Sequence, residues 1–530
     1  MTTAAAADGL TPPPPAPAAD RIDPKKLAIF LTMVVGMFMA VLDIQIVAAS
    51  LADIQAGLAA SADQISWVQT SYLIAEVMMI PISGYLTRSL STRVMFSISA
   101  AGFAISSLAC GLSTSMEMLI VMRAIQGFIG GAMIPTVFAT SITAFPRSRA
   151  MQISAGIGLI VTLAPTIGPT LGGWISQSLS WHWLFFVNVA PGFMIASVVW
   201  LYADFDKPDL DRLKRFDFFG FLLMAVALGL TEYILEEGPG EDWFADRWIT
   251  IFTIIALGAG LAFFFRQRRS DHPIVEFAAY RNINFVVGSI AAATLGVALF
   301  GLVYVLPLFL ARIEGYNALQ IGETLFVTGG AMFLTAPFAA TLSRKFDPRL
   351  VSASGLVLLA GATHALTGVT AEWGYWNFFW PQVARGAGLM LTMAPLNVIA
   401  LGTLEPALVP GASGLYNLAR NLGGAFGLAI INMILTDRTA FHTRVLADFY
   451  NTGRPAFTER LAAITAHFQA EGVANPDLAA LQVLANFGRR EAATLAFADV
   501  FIVITVVCLI TAPLFILASP PDRQPAPGGH

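Results

Sequence analysis

The feature that most restricts this chain is a succession of fourteen apolar runs, each long enough to cross a lipid bilayer. A helix needs about 20 apolar residues to span the hydrocarbon core. Runs of that kind lie at roughly 27–50, 64–86, 94–112, 116–142, 151–175, 182–203, 217–236, 247–265, 285–310, 321–342, 351–370, 377–401, 413–436 and 497–518. Charged residues make up only 12% of the chain, about half the share in a soluble domain. So little polar surface cannot cover so much apolar area, and lipid must be the solvent for most of the fold. The sequence therefore predicts an all-α polytopic membrane protein. Cys110 and Cys508 both sit inside apolar runs, which argues against a disulfide framework. The six histidines show no metal-ligand spacing, and no Gly-rich phosphate loop is present. Neither a metal nor a cofactor is expected, ATP is not an evident fuel, and neither enzymatic chemistry nor a nucleic-acid partner is indicated.

The basic residues orient the runs. With the N-terminus inside, the short inner segments hold Lys25 and Lys26, Arg88 and Arg93, Arg147 and Arg149, Lys207 to Arg215, Arg266 to Arg281, and Arg344 to Arg349. The short outer loops hold only Arg247 and Arg312. This alternation satisfies the positive-inside rule with both ends cytoplasmic. Residues 1–26, rich in Ala and Pro, read as a disordered cytoplasmic tail, and 519–530 as a second. A cleaved signal peptide is the alternative for the first, disfavoured because the run from Leu27 is too long for its apolar core. The polar segment 437–496 lies outside, with helix-like stretches at 458–470 and 477–497, either a tolerated insertion or a docking surface for an extracytoplasmic partner.

An internal repeat divides the row. Arg88 and Arg93 match Arg344 and Arg349 at a constant offset, Arg123 heads a fourth run similar to the twelfth at Arg385, and Leu-Gly-Gly recurs at 171–173 and 422–424. The expected organisation is an N-terminal six-helix bundle at 27–203, two linking helices and their loops at 204–284, and a C-terminal six-helix bundle at 285–518. Parallel six-span repeats with a site at their interface are a transporter architecture.

Transport coupled to protons needs a group that changes protonation, and a charge inside a bilayer is a functional hypothesis by default. At 1.5 Å rise per residue, Asp43 lies about 25 Å past Lys26, Glu76 about 18 Å and Arg123 about 10 Å from the outer face. Comparable depths allow the three to meet. Glu76 and Asp43 are the candidates for proton coupling, with Arg123 as countercharge. The plainer readings are a water-facing helix end for Asp43, a structural ion pair for Glu76 and a static role for Arg123. Gln126, Asn397, Asn417, Arg420, Asn421 and Arg385 are candidates to line a polar cavity, with interhelical hydrogen bonding as the alternative for the asparagines. Glu323, Glu232 and His364 are weaker candidates. Gly168 and Gly172 form a small-residue pair that permits close helix approach, beside Pro169 and Gly173. Arg88, Arg93, Arg344 and Arg349 are candidate clasps of an inner gate.

These motifs resemble the major facilitator superfamily, in particular its fourteen-span drug:proton antiporters of the EmrB/QacA type. The resemblance runs from about Leu27 to Pro513. Gly84 to Arg93 looks like the loop motif G-x-L-a-D-r-x-G-r-[KR], with Thr87 in place of Asp and Ser91 in place of Gly. Arg123-Ala-Ile-Gln-Gly127 is similar to R-x-x-Q-G, and Gly168 to Gly173 to the antiporter motif G-P-x-x-G-G. Leu42-Asp43-x-x-Ile46-Val47 resembles L-D-x-T-I-V with Gln45 for Thr. Trp183 to Asn188 resembles W-I-F-F-I-N, and Leu235 to Phe244 resembles the exit of the seventh span. The resemblance implies a proton-driven multidrug efflux permease of the bacterial inner membrane that exports hydrophobic or amphipathic compounds by alternating access. It also implies a periplasmic adaptor of the membrane-fusion family and an outer-membrane channel as partners. A dedicated exporter of one metabolite, such as a lipid, fatty acid or siderophore, is the rival within the class. A non-transporting receptor or scaffold is the rival outside it.

Overall fold

The computed structural model describes residues 23–270, 273–448 and 454–519. The tails expected at 1–26 and 519–530 lie almost wholly outside the described residues. Among the described residues, twelve helices are long and apolar enough to cross a membrane. In chain order these are α1 (Pro24–Ala49), α3 (Thr92–Gly111), α4 (Met116–Thr143, interrupted at Gly131), α6 (Trp183–Tyr202), α7 (Phe218–Glu237), α8 (Arg247–Arg269), α9 (Ile283–Arg312), α10 (Gln320–Lys345), α11 (Pro348–Gly368), α12 (Tyr375–Leu401), α13 (Val409–Ala447) and α14 (Pro476–Leu517). Two further long helices, α2 (Trp67–Leu90) and α5 (Arg147–Ser178), fill the second and fifth places. α2 carries Thr70, Ser71 and Glu76 on buried positions, so polar groups that would be costly in lipid point into the protein. Large apolar side chains such as Ile254, Leu257 and Leu261 of α8 are exposed, as lipid-facing residues are.

The two halves repeat one packing device. On α5, a Cβ on Gly168 would lie 2.4 Å from Cβ of Gln45, and one on Gly172 2.5 Å from the Ile46 carbonyl, both on α1. On α13, a Cβ on Gly423 would lie 2.3 Å from the Ala293 carbonyl on α9. Each Leu-Gly-Gly thus lets its helix press against the first helix of its own half, while Gly173 faces open space. The inserted α7 packs on α2, where Gly229 accommodates Met78, and α8 packs on the far side of α7 through the Tyr233–Phe252 ring pair.

The segment 437–496 is organised differently from a plain outer loop. α13 runs 39 residues and the regular α-helical part of α14, Pro476–Thr511, runs 36, so α13 alone is about 58 Å long at 1.5 Å per residue, against about 30 Å of hydrocarbon. Their extensions leave the bundle as helices joined by residues 455–470, a helix with no buried residue. Asp499 ties the pair together where they emerge, accepting from Arg438 at 2.5 Å and pairing with His442 at 2.8 Å.

At the turn between α2 and α3, Ser91 adopts φ 79°, ψ 154°. Glycine alone reaches that region freely, which accounts for the glycine at this place in the loop motif. Asp206, from the strand of chain after α6, caps α3 by accepting from the Thr92 N–H at 2.8 Å. Burial pushes the Asp206 carboxyl above its ordinary range, opposed by the Thr92 bonds.

Candidate functional site: a buried ion pair beside a charged cavity

Five helices of the first half converge on one guanidinium. Arg123 of α4 is fully buried. It donates from Nη1 to Asp43 Oδ2 of α1 at 2.6 Å and to Gln126 Oε1 at 2.7 Å, and from Nε to the Val68 carbonyl of α2 at 3.1 Å. Its plane lies 4.2 Å from the Tyr72 ring centroid. Asn188 at the start of α6 donates to the other oxygen of Asp43 at 2.6 Å and to Ser107 Oγ of α3 at 3.2 Å. A buried ion pair needs further hydrogen bonds to satisfy its remaining valences; Gln126, Asn188 and Val68 provide most of them, and Arg123 Nη2 is left without a hydrogen-bond partner among the described residues. Gly127 makes the approach possible, since a Cβ there would lie 2.3 Å from the Tyr72 carbonyl. Three separate sequence motifs, at Asp43, at Arg123 to Gly127 and at Asn188, are therefore parts of one cluster. Asn188 escaped the list of candidates although its motif was recognised.

Glu76 stands apart from this pair. It is 3% exposed and makes no hydrogen bond or ion pair among the described residues. It lines a cavity of about 90 Å³ with Gln45 of α1, Glu232 and Glu236 of α7, Leu299 and Phe300 of α9, and Arg420 and Asn421 of α13. Arg420 is buried too, also without an ion pair among the described residues, its guanidinium 5.4 Å from the Phe138 ring centroid. The cavity thus brings an unpaired acid of the first half to the same space as an unpaired base of the second. Its volume has room for several waters and is below the 300 Å³ or so of a drug-sized pocket. A wider vestibule of about 890 Å³ follows toward the end of the bundle opposite Arg88, lined by Tyr304 and Arg312 of α9, Asn432, Thr436 and Arg444 of α13, and again Glu236.

The other candidates sit elsewhere. Gln126 belongs to the ion-pair cluster. Asn397 donates across the halves to Ser154 at 3.0 Å and Ser141 at 3.3 Å. Asn417 bonds back to the Ser413 carbonyl of its own helix. Arg385 is buried against Gln382 at 3.2 Å with its Nε unbonded. Of the six residues proposed from sequence to line a cavity, Arg420 and Asn421 do so here. Glu232, given little weight in the sequence, lines it as well; two acids one turn apart in an otherwise apolar run were the signal.

At the end carrying Arg88 the halves meet closely. Arg88 donates to Glu276 of the linking segment just before α9 at 2.7 Å and to the Ala407 carbonyl of the second half at 3.0 Å. A Cβ on Gly84 would lie 2.2 Å from the Pro410 carbonyl, and one on Gly414 2.7 Å from that of Ile80. Ser413 donates to the Pro135 carbonyl at 2.7 Å. Arg93 packs over Trp200 within its own half. Arg349 bonds Asp347 at 2.6 Å and the Ala518 carbonyl within its own half, and Arg344 is exposed. Among the four arginines, Arg88 is the one that bridges the halves. Thr87, in the place of the motif's Asp, lies 3.4 Å from Thr136 Oγ1.

Two related six-helix bundles around a charged internal cavity, with two helices inserted between them, define a membrane transporter rather than an enzyme. Residues 33–428 match the Major Facilitator Superfamily, and the chain belongs to that family. It is 40% identical over 489 residues to the colistin resistance protein EmrB of Acinetobacter baumannii, covering 92% of this chain and 95% of that one. It is 28% identical to the fatty acid resistance protein FarB of Neisseria gonorrhoeae (95% and 97% covered) and 27% identical to the multidrug export protein EmrB of Escherichia coli (94% and 96%). Among solved structures, the proton:xylose symporter XylE superposes with a TM-score of 0.58 at 12% identity, over 91% of this chain and 94% of that one. The last comparison speaks to the fold alone.

Proposed function

We propose that this protein is a proton-driven efflux permease of a bacterial inner membrane, exporting hydrophobic or amphipathic compounds by alternating access. The observation that carries the reading is Glu76: a buried carboxylate without a partner, sharing a cavity with the unpaired Arg420 of the other half. A carboxylate in that position is charged or neutral according to how close Arg420 and water come, so its protonation follows the motion of the halves. With the basic end taken as cytoplasmic, both termini lie inside. The conformation is then closed to the cytoplasm by the Arg88 contacts, with its vestibule toward the periplasm. Asp43 and Arg123 hold the first half together beside the titrating group. The helical extensions of α13 and α14 offer the surface for a periplasmic adaptor of the membrane-fusion family, which would connect to an outer-membrane channel. The names of the relatives, which speak of multidrug export and of colistin and fatty acid resistance, support an exporter of amphiphiles. A dedicated fatty acid exporter is the second reading, favoured by a guanidinium facing the cavity.

Purified protein in vesicles with an imposed pH gradient tests the reading. Accumulation of chemically diverse amphiphiles, lost with Glu76→Gln, is the expected result. Transport unaffected by Glu76→Gln would remove Glu76 from the mechanism, and movement of fatty acids alone would favour the second reading.

A further inference from the structure

The two helices inserted between the halves have no counterpart in the six-plus-six repeat, yet α7 reaches the central cavity. Glu232 is 6% exposed, has no hydrogen bond or ion pair among the described residues, and lines that cavity beside Glu76. Glu236 follows four residues later, about 6 Å along the helix. It is exposed and lines both the central cavity and the wide vestibule. Among the residues lining the two cavities, the carboxylates are Glu76, Glu232 and Glu236, and two of these three stand on the inserted helix. The packing fixes their relative depth. α7 runs antiparallel to α2, with Tyr233 against Trp67 and Gly229 against Ile74 and Met78, so Glu232 and Glu76 come to similar levels. Apolar side chains, Leu73, Val77, Leu299, Phe300 and Leu428, make up much of the remaining wall.

We propose that Glu232 and Glu236 form a proton relay, supplied by the inserted helix, that connects the vestibule to Glu76. A proton from vestibule water binds the Glu236 carboxylate, passes to Glu232 and then to Glu76. Each donor returns to carboxylate as the next becomes the acid, so charge balances at every step. Chains of acidic residues inside membranes serve this purpose in pumps and transporters. The relay rests on the proton-coupled reading above. The charged and titratable groups around it are Glu76 and Tyr72 on α2, Asp43 on α1, Arg123 on α4, Glu237 on α7, Tyr304 and Arg312 on α9, and Arg420 and Arg444 on α13.

The test uses the full chain in vesicles with tetraphenylphosphonium as probe. Gradient-driven uptake is compared with exchange of labelled for unlabelled probe at equal pH on both sides. Glu232→Gln is expected to slow driven uptake about tenfold or more, the loss of one positioned proton carrier. Exchange should stay within about threefold, since labelled-for-unlabelled exchange at equal pH moves no net proton through the relay. Glu232→Asp should recover driven uptake, and a small weak acid such as azide should partly restore Glu232→Gln. Driven uptake at the normal rate in Glu232→Gln overturns the relay. So does an equal loss of exchange and driven uptake without rescue by Asp or azide, which marks a structural or probe-binding role. A wild-type protein that exchanges probe but ignores the gradient overturns the proton-coupled reading itself, and the relay with it.

Discussion

Arg123 in the first half and Arg385 in the second occupy similar places in their repeats and are treated oppositely by their surroundings. Arg123 has a carboxylate at 2.6 Å, an amide, a backbone carbonyl and an aromatic face. Arg385 has one amide at 3.2 Å. The reason lies in the first helix of each half: α1 carries Asp43, whereas α9 has no acidic residue. The first half is thus a locked electrostatic unit with one spare acid, Glu76. The second half holds Arg385 and Arg420, both buried and neither in an ion pair among the described residues. Duplication preserved the helices and their glycine contacts, while the charges diverged so that the spare acid and a spare base face one cavity from opposite sides.

The contrast can be broken by substitution. Asp43→Ala leaves Arg123 buried without its counterion and should cost about 3–5 kcal/mol of stability, seen as a large fall in the thermal unfolding temperature in detergent. Arg385→Met removes a buried charge that has no counterion, and replacing such a group by an apolar one of similar size should be neutral or stabilising by about 1 kcal/mol or more. Equal losses in the two variants would mean that the repeats share a structural arginine after all.

The seam between the halves gives a sharper functional comparison. Gly84→Ala places a methyl group 2.2 Å from the Pro410 carbonyl and should wedge the basic end open. Labelling of a cysteine introduced at Ala412, buried beside the seam residue Ser413, by a membrane-impermeant reagent should then rise several-fold, by population shift. Gly173→Ala, which meets nothing within 4 Å, should leave labelling unchanged. The smallest effect is expected at Ser91→Gly. Relief of its φ of 79° should stabilise the turn by about 1 kcal/mol, less a few tenths for the lost helix cap.

Much of this was readable in the sequence because membrane helices announce themselves by length and charge placement. The positions of the fourteen helices, the repeat and the meeting of Asp43 with Arg123 all follow from spacing and depth. What spacing does not give is direction around a helix axis in a bundle where every helix is apolar on most sides. Gln126 and Asn397 therefore read as cavity residues, yet their amides are engaged with Arg123 and with Ser141 and Ser154. The helix-like stretches at 458–470 and 477–497 are helical, at Pro455–Ala470 and in the first part of α14, but the unbroken passage of α13 and α14 from lipid into water was hidden for another reason. Ala, Leu, Arg and Glu hold a helix in water as well as in lipid, so a change of solvent was read as the end of a helix.

The central claim is that Glu76, and not the paired Asp43, carries the exchanged proton. Proton release on addition of tetraphenylphosphonium to the detergent-solubilised protein, followed with a pH indicator, tests it most directly. Release should be lost in Glu76→Gln and persist in Asp43→Asn, whose amide oxygen can still accept from Arg123. Release that survives in Glu76→Gln and vanishes in Asp43→Asn would contradict the account and move the proton to the ion pair.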